Sequence, residues 1–233
     1  KDQKFTPRIA DTARVIWVSY ALLGVACMLS YHAAGMGWVD AFLHMCTTIS
    51  LGGFSRYDAS FGHWNSPQIE AVAIVFMLLS GVNLVLYFVA WRGRSLAPLL
   101  RNVEVQAFVG VLAGSTALIA VYLTVNGAYP DFLQALRHTA FHVVSIATTT
   151  GYAAYDYAQW PLFAPLLMIL LGCFATCAGS TGGGIKMIRM ILLLMQSRRE
   201  LVRIVHPNAV TPVVLGGMAV GERVMHSVIA FMM

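Results

Sequence analysis

Two short stretches of this chain combine hydroxyl side chains, glycine and an aromatic ring in an order that suits a bare cation. The first reads HMCTTISLGGFSRYD, from His44 to Asp58, and the second HVVSIATTTGYAAYD, from His142 to Asp156. A constant offset of 98 residues aligns His44 with His142, Gly53 with Gly151, Phe54 with Tyr152, Tyr57 with Tyr155 and Asp58 with Asp156. A cation that sheds its water needs a ring of oxygens, and backbone carbonyls in an extended Thr-x-Gly segment can supply one. Glycine permits the dihedrals that aim successive carbonyls at one axis. The expected ligands are the carbonyls of Leu51, Gly52 and Gly53, and of Thr149, Thr150 and Gly151. Backbone ligands leave the side chains free to differ, so Leu-Gly and Thr-Thr can hold matching positions. Phe54 and Tyr152 are expected to brace the segments by packing. Asp58 and Asp156 either raise the local cation concentration at an outer mouth or cap the next helix; both readings stay open.

A third stretch, CAGSTGGGIK from Cys177 to Lys186, interrupts a long apolar run. Three consecutive glycines each cost about 1 kcal/mol of helix stability relative to alanine. The helix is therefore expected to break over Gly179, Ser180, Thr181, Gly182, Gly183 and Gly184, deep in the apolar slab. Freed carbonyls at that depth must face protein or a water-filled cavity, so a gating loop is the functional reading and a packing kink the plain one. A phosphate-binding loop is excluded, because Ile185 separates Gly184 from Lys186 and Met187 follows. His138 and His142 share a helical face, but Thr139 stands where a zinc protease needs glutamate. No cofactor and no catalytic constellation is expected.

The elements that must hold these segments follow from composition. The chain of 233 residues is 58% hydrophobic and 11% charged, with mean hydropathy +0.72; soluble domains carry about 25% charged residues. Charge-free runs cover 15–39, 71–91, 105–130 and 157–185, and about 20 apolar residues cross a bilayer as a helix. The pattern predicts an all-α polytopic membrane protein with spans near 12–35, 67–92, 99–124 and 160–200. Short re-entrant units at 39–54 and 131–152 would lie between them. Tandem helix–pore-loop–helix repeats are expected at 1–95 and 96–205, with a further repeat beginning at 206–233. Net charge is +5. Its basic residues cluster at Lys1, Lys4, Arg8 and Arg14, at Arg92, Arg94 and Arg101, and at Lys186, Arg189, Arg198, Arg199 and Arg203; only Arg56 and Arg137 lie on the opposite side. The positive-inside rule places those clusters in the cytoplasm and the repeated motifs outside. No basic face for nucleic acid is visible. Cys27, Cys46, Cys173 and Cys177 sit in apolar stretches and read as small core residues without disulfides. The polar start without Met and the apolar finish suggest an internal piece of a longer protein.

The stretches PRIADTA (7–13), TTISLGGFS (47–55), TTTGY (148–152), CAGSTGGGIK (177–186) and HPNAV (206–210) give the chain a resemblance to the Trk/Ktr/HKT superfamily. It resembles the TrkH-type potassium-uptake subunits of bacteria across essentially its whole length. The resemblance implies four helix–pore-loop–helix repeats around one pore, of which this chain holds the second, the third and the opening of the fourth. It further implies potassium selectivity and multi-pass insertion in the bacterial cytoplasmic (inner) membrane. A homodimer and a cytosolic nucleotide-binding regulatory subunit are implied as well, and residues 179–184 would be the intramembrane gating loop. The first filter loop, the fourth filter loop and a gating arginine of the fourth repeat fall outside these residues. A secondary carrier of another cation or solute would use broken helices without paired filters. An intramembrane enzyme would need a nucleophile–base or metal cluster that the sequence does not offer. Channel-like flow and ion-coupled symport both fit the pattern.

Overall fold

In a computed structural model of the chain, residues 6–206, 212–216 and 218–232 are described. Lys1, Lys4 and most of the HPNAV stretch lie outside them. Ten helices and one small hairpin follow in order: α1 (Thr6–Ala33), α2 (Trp38–Ile49), α3 (Pro67–Ser80), α4 (Leu84–Arg92), α5 (Ala97–Leu100), α6 (Val103–Val125), α7 (Phe132–Ala147), α8 (Phe163–Gly172), α9 (Met187–Val205), the antiparallel pair β1 (Val214–Leu215) and β2 (Met218–Ala219), and α10 (Glu222–Met232).

The same arrangement occurs twice. A long apolar helix (α1, then α6) packs on a short re-entrant helix (α2, then α7), which packs on an inner helix (α3, then α8). Within α1, residues Ala13–Ala33 are long and apolar enough to cross a membrane, as is all of α6; α8 is apolar but shorter. Large apolar side chains such as Trp17, Leu22, Val25, Leu118 and Val121 stay exposed on these helices, as suits a lipid-facing surface.

Both inner helices are interrupted. The expected continuous span 67–92 instead stops at Ser80, turns by 87° and restarts at Leu84. Gly81 weakens the helix, and Asn83 caps the new one by accepting the Val85 N–H at 2.9 Å. The last span is interrupted from Cys173 to Lys186, earlier than the glycine run alone predicts. The two breaks dock on each other: the Cys177 N–H donates to the Gly81 carbonyl at 3.0 Å, and the Leu84 N–H to the Gly179 carbonyl at 3.2 Å. Gly81 and Gly179 stand 98 residues apart, so the internal repeat extends into the inner helices.

One buried core joins Tyr31, Ile49, Phe61 and Met77 to Phe141, Val144 and Tyr152 of the second copy. Cys27 and Cys177 are buried core residues as expected, whereas Cys46 and Cys173 are exposed; all four are free thiols. Across the α3–α7 boundary the Arg137 guanidinium donates both to Glu70 Oε2 at 2.7 Å and to Glu70 Oε1 at 2.6 Å. Glu70 is 2% exposed, so its charge depends on this fork.

Removing the partner of a buried charge costs about 3–5 kcal/mol, and Glu70 is the buried member of this pair. Arg137→Ala in the complete protein, which strands Glu70, is therefore expected to lower the unfolding temperature in detergent by several degrees. An unaltered melt would show that the pair does not hold the two copies together.

Candidate functional site

Each re-entrant helix ends in the same backbone pattern. In the first copy the Leu51 N–H donates to the Thr48 carbonyl, and the Gly52 and Gly53 N–H groups converge on the Thr47 carbonyl at 2.8 and 3.4 Å. In the second, the Thr149 N–H donates to Ile146, and the Thr150 and Gly151 N–H groups converge on the Ser145 carbonyl at 2.8 and 3.1 Å. Every donor and acceptor matches at the 98-residue offset. The dihedrals match as well: φ is +53° at Leu51 and +64° at Thr149, then +69° at Gly53 and +89° at Gly151. Leu51 and Thr149 are bulky residues in the left-handed region, a strained choice held by the crossing hydrogen bonds. Gly52 and Thr150, between them, keep ordinary φ.

The two extended segments lie side by side. A side chain at Gly53 would place its Cβ 1.8 Å from the Thr150 carbonyl oxygen. The second segment also braces the first from behind. Tyr152, fully buried, brings its hydroxyl 2.5 Å from Thr47 Oγ1 and 3.1 Å from Thr48 Oγ1. Tyr31 reaches Thr48 Oγ1 from α1 at 2.8 Å. Thr47 is the residue whose carbonyl gathers the Gly52 and Gly53 amides, so the Tyr152 hydroxyl acts one bond from the first segment.

Phe54 does not do the same. It is 78% exposed, against the packing expected of it. Tyr152 leans on the copy that precedes it in the chain, and copy one has no predecessor among the described residues.

The paired histidines have a task that the sequence reading left unassigned. His44 Nδ1 donates to the Asp40 carbonyl at 2.9 Å, and its Nε2 accepts from Ser55 Oγ at 3.0 Å. His142 Nδ1 donates to the His138 carbonyl at 2.7 Å, and its Nε2 faces the backbone of Ala154 and Tyr155. Each ring ties the chain after the glycine back to the helix before it. The matching His at both motif starts was the available signal. Asp156 is exposed and accepts from the Ala158 N–H and Gln159 Nε2, so it caps the turn that follows. Asp58 is exposed, and the turn after it begins at Ala59 without a side-chain cap.

The Gly179–Gly184 segment lies directly against both extended segments. Thr181 Oγ1 donates to the Ile49 carbonyl at 2.9 Å, and the Gly183 N–H donates to Thr149 Oγ1 at 2.8 Å. The fit leaves no room for a side chain at Gly182 or Gly184: a Cβ on Gly182 would stand 2.5 Å from Thr176 Cγ2, and one on Gly184 2.7 Å from the Cys173 carbonyl. Lys186 turns its amine back inside the loop, toward Ser180 Oγ at 3.4 Å, Thr176 Oγ1 at 3.3 Å and the Gly182 carbonyl. The structure thus brings together Leu51–Gly53, Thr149–Gly151, Tyr152 and residues 179–184, while Phe54 and Asp58 stay exposed.

A family model described as TrkH, cation transport protein, matches residues 1–233. The Trk system potassium uptake protein TrkH of Halomonas elongata is 43% identical over 231 residues, 99% of this chain and 48% of the relative. TrkH of Escherichia coli K12 is 44% identical over the same shares, and TrkG of that strain 39% identical over 99% and 47%. The crystal structure of the potassium transporter TrkH from Vibrio parahaemolyticus matches with a TM-score of 0.94 at 38% identity, covering 99% of this chain and 50% of that one. The chain spans about half the length of the curated relatives it matches.

Gly53 and its neighbour offer a steric test. Gly53→Ala forces a left-handed alanine, at about 1–2 kcal/mol, and drives its methyl into the Thr150 carbonyl. Gly52→Ala has ordinary φ and meets only side chains, Ser50 Oγ at 3.1 Å and the Phe54 ring at 3.5 Å. In the complete protein Gly53→Ala is expected to cut the yield of monodisperse, folded material while Gly52→Ala keeps it, as size-exclusion profiles would show. Equal yields would contradict the side-by-side placement.

Proposed function

The chain belongs to the TrkH family of cation transport proteins, and from that membership we propose that it forms two quarters of a potassium-uptake pore in the bacterial cytoplasmic membrane. The observation that carries the reading is the twin backbone: identical closing hydrogen bonds and left-handed dihedrals in two segments that touch. Alternating left-handed and ordinary residues turn successive peptide units, so that their carbonyls can face one side. The carbonyls of Leu51, Gly52, Gly53, Thr149, Thr150 and Gly151 replace the hydration shell of potassium. The C-terminal ends of α2 and α7 add about half a negative charge each beside them. Tyr152 holds the first segment in register through Thr47 and Thr48. Asp58 and Asp156 contribute negative charge at the outer mouth. Potassium is cargo here, and no cofactor is required.

Residues Gly179 to Gly184 are the gate. Their hydrogen bonds to Ile49 and Thr149 support that reading, and their small side chains let them move aside. The basic helix α9 leads from the loop toward the cytoplasm, where a nucleotide-binding regulatory subunit would act on it. A homodimer of complete chains is the assembly proposed. The names of the relatives, which are potassium uptake proteins, support potassium as the ion.

The direct experiment is rubidium uptake by the complete protein in cells lacking their own potassium uptake; the expected result is saturable uptake that potassium suppresses, and none would sink the reading. Two variants test its parts. Gly151→Ser places a side chain at φ +89° and is expected to weaken preference for potassium over sodium in flux ratios. Deleting part of 179–184 is expected to raise flux and weaken its dependence on the regulatory subunit. Unaltered selectivity in the first, or unaltered flux and regulation in the second, would count against the role assigned.

A further inference from the structure

The pore reading leaves one buried carboxylate without a task. Glu104 sits in the first turn of α6, 9% exposed. Asn102 Oδ1 fixes the start of that helix by accepting the Glu104 and Val105 N–H groups at 3.0 and 3.2 Å. A buried carboxylate is costly unless donors satisfy it. Here a single oxygen, Oε1, accepts two: the Ala178 N–H at 2.7 Å and the Ile188 N–H at 3.1 Å. Ala178 is the residue just before the glycine-rich loop. Ile188 lies in the first turn of α9, where amides have no partner inside the helix and the helix dipole favours an anion.

Both ends of the loop therefore meet on one atom of a third helix. The neck between them is closed by the Ile185 N–H on the Cys173 carbonyl and the Met187 N–H on the Thr176 carbonyl, each at 2.8 Å. The tip is held by Thr181 on Ile49 and Gly183 on Thr149. Any displacement of α9 that moves Ile188 away from Ala178 must first break a charge-assisted bond to Glu104. α6 starts immediately after the connection that carries Arg92, Arg94 and Arg101, and α9 runs on to Arg198, Arg199 and Arg203. The helices that adjoin these two basic runs, α6 and α9, thus meet at one oxygen.

We propose that Glu104 is a clasp that keeps the 179–184 loop seated under the filter and couples its release to movement of α9. The effect on transport rests on the reading of that loop as the gate; the clasp itself does not. Glu104 is a positioning residue: it acts on the pore only through Ala178 and Ile188.

The test uses the complete transporter in proteoliposomes, as wild type, E104Q and E104A, with two readouts. One is amide hydrogen exchange across 176–190, and the other is rubidium flux. A hydrogen bond to a charged group contributes about 1.5–3 kcal/mol, so losing it in E104A should speed exchange at Ala178 and Ile188 about tenfold or more. Glutamine keeps a neutral acceptor of the same shape, and E104Q should fall between, about threefold faster than wild type. Flux should rise in the same order. Exchange at wild-type rates in E104A would overturn the clasp whatever the flux does. Should E104A not fold, wild-type exchange in E104Q overturns it equally. Faster exchange with unchanged flux would uphold the clasp and overturn the gate.

Discussion

Backbone amides and carbonyls at membrane depth have no water to turn to, and this demand organises the molecule. Non-helical chain is tolerated there only where protein or a wet cavity satisfies it. The two segments after α2 and α7 meet the demand by folding their amides back onto Thr47 and Ser145. That manoeuvre consumes the donors and leaves the carbonyls of the extended residues as the unspent polar groups. A surface rich in acceptors and poor in donors favours a cation. The acceptor-rich character of the site is thus a consequence of how the helix ends are closed.

The same demand explains why neither copy stands alone. The break after Ser80 supplies a carbonyl to Cys177 and takes one from Gly179. The Tyr152 hydroxyl of the second copy meets threonines of the first. The outer loop of the first copy pairs Phe61 with the Ala153 carbonyl, 2.9 Å away, just past the second glycine. Glu70 and Arg137 span the same boundary. Geometry in one segment is set by residues of its neighbour, so the two extended segments form a shared structure.

Much of this was legible in the sequence. Two copies in strict register fixed the re-entrant helices and the extended segments, because a motif with glycine at one offset needs one backbone shape. The triple glycine marked the intramembrane break. What escaped was of another kind. The break at Gly81–Asn83 has only a glycine and a capping asparagine in an otherwise apolar run, a weak local signal that the offset from Gly179 would have strengthened. Glu70 and Glu104 stand in the first turns of α3 and α6, and their partners lie 67 and 74 residues away or more, beyond the reach of a local pattern. Phe54 and Tyr152 align perfectly yet differ in burial, because a repeat has neighbours on both sides and local sequence does not report which are present.

The central claim is that Leu51–Gly53 and Thr149–Gly151 face one cation with their carbonyls. Anomalous diffraction from crystals of the complete protein soaked in rubidium or thallous ion tests it most directly. The account predicts anomalous peaks beside both segments, within coordination distance of those carbonyl oxygens and above the 179–184 loop. Peaks confined to another part of the protein, with these carbonyls turned away from any common axis, would contradict it.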